Sequence, residues 1–231
     1  TGAKYYKSVP NYLIDAKKHK NLRAEANFER GHLVKRLDPV WGDDDDLARA
    51  AENDTFRWAN AAPQTAAFNK GNDKDLFNDD ATGSRKYRLW QGIENFILRE
   101  AWADKTKVCV FTGPVCKRTD PIYSDKTKKI LKQVPLSFWK VIVWEKDGKL
   151  KSLALIASQK ETMLDTGDDN AEALDDAEQL KLMKDFLTTV KTVERRTGLK
   201  FGTLVTDADI RKGQRSKRAN QEKWQDEVSE I

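Results

Sequence analysis

Between Phe138 and Ser158 the chain carries two strand-like apolar runs, Phe138 to Glu145 and Leu150 to Ser158, joined by Asp147-Gly148. An Asp-Gly pair between two such runs is a strong hairpin signal, because both turn residues need positive φ. A long antiparallel hairpin of this kind must bury at least one face, so the rest of the chain has to supply a cover. Leu89 to Ala103 offers one candidate: Leu89, Trp90, Ile93, Phe96, Ile97 and Ala101 recur at three- and four-residue spacing, as on an amphipathic helix. A second helix is expected over Ala171 to Lys184, with a strand or helix near Val190. Val108 to Phe111 reads as a short buried strand ended by Thr112-Gly113-Pro114, with Cys109 a buried thiol. Thr55 to Asn60 reads as a short strand entering a turn at Pro63. Locally paired strands mixed with helices indicate an α+β fold rather than a regular βαβ alternation.

The 231 residues include seven Trp and are 39% hydrophobic, enough for a real core. The longest apolar runs, such as Val141 to Trp144 and Leu153 to Ala157, fall far short of the ~18 residues of a membrane helix, so no membrane partner is expected. Two cysteines make no disulfide scaffold, and His19 and His32 are too few for a four-ligand zinc set. Neither a P-loop nor a GxGxxG fingerprint occurs. Thr1 to Tyr5 shows no apolar signal-peptide region, and localisation stays open.

Charge is segregated. Residues 1–36 hold nine Lys/Arg against three acids, and residues 195–224 hold the same balance. Between them, residues 37–54 carry seven acids and one Arg, and residues 165–178 carry seven acids and no base. Such a pattern permits a polyanion as partner, and equally suits solvated faces.

Three segments carry chemistry. Glu29-Arg30-Gly31-His32 brings together an acid, a phosphate-binding guanidinium and an imidazole able to take a proton near neutrality. Asn60 to Asn69 (Asn-Ala-Ala-Pro-Gln-Thr-Ala-Ala-Phe-Asn) offers amide oxygens suited to a hard divalent cation, or turn-shaping residues. Trp90 to Glu94 puts an acid on the amphipathic helix, at the rim of a site or on a solvated face.

In this order the segments resemble the DNA/RNA non-specific endonucleases of ββα-metal (His-Me finger) type, whose signature is DRGH, N-x-x-P-Q-x-x-x-x-N and W-x-x-x-E. Similarity extends to Thr112-Gly113-Pro114, Val134-Pro135, Phe138 to Val141, Ala157-Ser158-Gln159 and Val193 to Leu199, and is strongest over residues 20–202. The resemblance implies a single nuclease domain over residues 1–231, with a central, mostly antiparallel sheet flanked by helices and residues 203–231 a basic C-terminal extension. It implies His32 as general base, Asn69 as the direct ligand of one Mg²⁺ (Mn²⁺ substituting), Glu94 as the acid holding metal-bound water, and Arg30 as phosphate binder. Glu29 stands where the family usually has Asp, supporting the metal's water shell. Asn60 shapes the loop. Lys35, Arg36 and Lys70 join Arg30 as substrate-binding candidates, Lys70 opening a polar insertion that runs to Arg88.

The implied activity is metal-dependent hydrolysis of DNA and RNA leaving 5′-phosphate ends. The rivals are a catalytically impaired nucleic-acid-binding module of the same fold, and an interaction domain with merely solubilising charges. A homodimer or an inhibitor (immunity) protein are candidate partners.

Overall fold

The computed structural model describes residues 12–14, 25–26, 28–40, 42–69, 90, 94, 107–124, 131–160, 163 and 186–213. The expected helix over Ala171 to Lys184 lies outside them, as do Lys70 and His19. Of the helix expected from Leu89, Trp90 and Glu94 are described, and both are helical.

The hairpin is the spine of the molecule. β8 (Ser137–Lys146) and β9 (Lys149–Ser158) pair antiparallel from Ser137↔Ser158 to Lys146↔Lys149. Asp147 and Gly148 turn the corner at φ 53° and 71°, as a primed two-residue turn requires. β5 (Val108–Val115) adds to the outer side of β8, and β10 (Leu187–Thr188) to the outer side of β9. Two further antiparallel groups hold the other described strands. β1 (Tyr12–Ile14), β2 (Glu25–Ala26), β6 (Ile122–Ser124) and β7 (Leu131–Gln133) form one sheet, and β3 (Phe28–His32) pairs with β4 (Ala61–Thr65). The architecture is α+β, with antiparallel sheets and few helices among the described residues.

β8 is a continuous buried run because both faces of its sheet are covered. Phe138, Ile142 and Trp144 pack with Leu33, Ala62, Phe68 and Trp90 on one side. Trp139, Val141 and Val143 pack with Val190 and Val193 of α3 (Val190–Thr197) on the other. α4 (Thr203–Asp207) lies beyond, and the chain after it returns to β9: Ser152 N donates to Ala208 O, and Ile210 N to Ser152 O. The Asp209 carboxylate accepts from Val190 N at 2.8 Å, fastening the start of α3 to this segment.

Several local expectations are corrected. Thr55 to Asn60 is not a strand: it makes turns and a short 3₁₀ helix (Trp58–Asn60), and the strand is β4, with Pro63 inside it. Proline fits there because β3–β4 is a two-stranded ribbon with an unpaired side. β5 does not stop at Thr112-Gly113-Pro114 but runs through to Val115, Pro114 lying on an edge strand where no ladder donor is missed. Gly113 is there for packing, since a Cβ would sit 3.1 Å from the Trp139 ring. Cys109 is exposed rather than buried, because the pleat of this edge strand turns it outward. The acidic run at Asp43 to Asp46 is a helix start. Asp44 caps α1 (Asp45–Asp54) by accepting from Asp46 N and Leu47 N, and Asp45 and Asp46 face the positive end of the helix dipole.

Candidate active site

Alternation along β3 puts Arg30 and His32 on one face and Glu29 and Gly31 on the other. The register with β4 sets Arg30 opposite Pro63, His32 opposite Ala61 and Glu29 opposite Gln64. Gly31 is required by this pairing: a Cβ there would overlap the carboxamide of the buried Gln64. The glycine of the first segment and the glutamine of the second are therefore two halves of one contact.

α2 (Ala66–Asn69) follows β4 directly and folds back against β3. It brings Asn69 to Glu29, with Asn69 Nδ2 donating to Glu29 Oε2 at 2.7 Å. An amide held this way by its nitrogen keeps its carbonyl oxygen for a different partner, and such an oxygen suits a hard cation. Among the described residues no group of three or more His, Cys, Asp or Glu could chelate a metal. A cation would here rest on one amide oxygen and water, a donor set that fits Mg²⁺. Asn60 does a different job. Its Nδ2 donates to Val34 O and Thr55 O and its Oδ1 accepts from Val34 N, pinning the chain just past His32.

His32 lies edge-on to Phe56, ring centroids 5.5 Å apart. Partial burial and then the nearby Arg36 cation push its pKa below the ordinary 6.5, so the imidazole is neutral and able to accept a proton at neutral pH. The Arg30 guanidinium lies over the Trp58 ring, 4.8 Å from the centroid. Arg36 is ion-paired with Glu52 and lies over Phe56. Lys35 N donates to the Asp38 carboxylate at 3.2 Å.

Glu94 is on neither a rim nor a solvated face. It is buried and ion-paired at 3.1 Å with Lys140, which the pleat of β8 directs into the same core face as Phe138 and Ile142. Lys140 Nζ also donates to Leu33 O at 2.7 Å and sits 4.4 Å from the centroid of Trp90. Burial pushes the Glu94 carboxyl up to about 7 against the opposing pull of Lys140, so without that cation it would be more strongly neutralised.

Sequence reasoning gave no role to Lys140 or Gln159, both fully buried. Gln159 Oε1 accepts from Thr65 N, and its Nε2 donates to Pro63 O and Pro135 O, locking β4 onto the β8–β9 sheet. The signal was a cation in the middle of an apolar strand, Phe138 to Trp144, and a glutamine closing the next one.

A family model of DNA/RNA non-specific endonucleases matches residues 4–208. An uncharacterized protein of Sinorhizobium fredii, y4fB, is 34% identical over 193 residues, 83% of this chain and 26% of that protein. The chain thus spans about a quarter of the length of this relative. No solved structure matches the chain.

Proposed function

Because the chain belongs to the DNA/RNA non-specific endonuclease family, whose members are metal-dependent nucleases, we propose that it hydrolyses phosphodiester bonds of DNA and RNA, leaving 5′-phosphate ends, on a ββα-metal fold built from β3, β4 and the helix of Trp90 and Glu94. The bond from Asn69 to Glu29 carries this reading, since it holds an amide, the kind of donor a hard cation takes, against the strand that carries His32. Mg²⁺ bound there supplies charge neutralisation at the phosphate and at the leaving 3′-oxygen.

The chain's own groups divide the remaining work. Arg30 holds a phosphate through the N–H edge of its guanidinium, while the guanidinium face rests on Trp58. His32, neutral at working pH, removes a proton from the attacking water, an assistance worth roughly 10²–10⁴-fold. Glu94, kept from full neutralisation by Lys140, would be the carboxylate that holds water of the cation's shell. None of these groups need read a base edge, which suits a nuclease indifferent to sequence and sugar.

The test is digestion of plasmid DNA and of RNA with Mg²⁺, with EDTA and with His32→Ala. Cutting that needs Mg²⁺ and is lost in His32→Ala is the expected result. An intact protein that leaves both substrates uncut with Mg²⁺ or Mn²⁺ ends the hypothesis and leaves the binding-module reading.

A further inference from the structure

Trp58 is a large apolar side chain left 67% exposed, immediately beside the face of β3 that carries Arg30 and His32. Its neighbour Phe56 is 41% exposed and touches His32 edge-on. Among the described residues neither ring belongs to a buried cluster, and both are open to solvent rather than filling the core. Both stand on a segment that is held in place. Asn60 ties Thr55 O to Val34 on one side, and Arg57 is bonded to Asp54 at the end of α1 on the other. Arg30 covers part of the Trp58 ring, and the indole still presents a wide surface to solvent.

From this geometry we propose that Trp58, flanked by Phe56, is a stacking platform for an unpaired base of the substrate strand, next to the phosphate held at Arg30. The proposal rests on the nuclease reading and deepens it, by naming an unpaired strand as the favoured substrate form. An aromatic ring accepts any base through its π face, so the platform adds affinity without sequence preference. A base paired and stacked within a duplex does not offer that face, whereas a single strand or a frayed segment does. Arg30 couples the two contacts: one guanidinium rests on the ring and bonds the phosphate from which the stacked nucleotide hangs.

The test is equilibrium binding in EDTA by His32→Ala protein, comparing oligo(dT) with an equally long abasic deoxyribose-phosphate strand. Oligo(dT) is expected to bind about tenfold tighter, within the range that stacking of one base supplies. Adding Trp58→Ala should weaken oligo(dT) alone and bring the two strands level, while Trp58→Phe, which keeps a ring, should retain most of the difference. Equal affinity of the Trp58-bearing protein for both strands overturns the platform, as does Trp58→Ala weakening both strands alike. The outcomes separate from those of the nuclease reading. A base-dependent difference in a protein that cuts nothing sinks only catalysis, and level binding in a protein that cuts sinks only the platform.

Discussion

Glu29 stands where the resembling family carries Asp, and its longer arm ends 2.7 Å from the Asn69 amide. Groups that orient a metal ligand typically contribute 10–100-fold to metal affinity or activity. Glu29→Ala is therefore expected to raise the Mg²⁺ concentration for half-maximal cleavage by about 10–100-fold, and to cost less at saturating Mg²⁺; an unchanged metal titration would deny Glu29 this role. His32 yields a second expectation. Its pKa lies below 6.5 through burial first and Arg36 second, so the imidazole becomes a base as pH rises through a value under 6.5. An NMR titration of the His32 imidazole should accordingly have its midpoint below 6.5, and Arg36→Ala should move that midpoint upward, whereas the acid limb of kcat/KM also follows the Glu94 carboxyl at about 7. An imidazole midpoint at or above 6.5 in the unaltered protein contradicts the assignment. That Asn69 and Glu29 meet was foreshadowed in the sequence, because both belong to motifs that occur in a set order with His32. Trp58 was not, since an exposed ring beside an arginine looks like any surface residue until the strand pairing is known.

At the scale of elements, Lys140 joins three of them: β8 carries it, the residue after His32 accepts its hydrogen bond, and the helical Glu94 takes its charge. Removing one partner of a buried ion pair leaves an uncompensated charge and costs roughly 3–5 kcal/mol. Lys140→Met should lower the unfolding free energy read from urea melts by an amount of that order. Lys140→Met with Glu94→Gln should be less destabilised than the single change, because the stranded carboxylate is gone; strict additivity of the two changes would show that the pair is not coupled. The β8–β9 hairpin was readable because Asp147-Gly148 encodes its turn locally. Lys140 and Gln159 were not, because partners such as Leu33 and Pro63 lie 107 and 96 residues away in sequence, and nothing local names them. The opposite error occurred at Cys109. There, an apolar neighbourhood suggested a buried thiol, whereas an edge-strand pleat turns it outward.

Across the described part of the molecule, basic residues of the two charged segments lie on different faces of the central sheet. Arg30, Lys35 and Arg36 lie on or just after β3, whose segment packs through Leu33 on one face of the central sheet. Arg195 and Arg196 lie in the last turn of α3, which covers the opposite face, and there they complement the negative end of the helix dipole. Phosphate contacts release counterions, each steepening the fall of log K with log salt by about 0.9 on duplex DNA. In EDTA and the His32→Ala background, Arg30→Ala and Lys35→Ala should each flatten that slope by about one. Arg195→Ala with Arg196→Ala should leave it unchanged, although the fold loses two favourable helix-end charges. A slope that responds equally to both pairs would mean that nucleic acid wraps both faces of the sheet, and the binding surface would then have to extend well beyond the strand that holds His32.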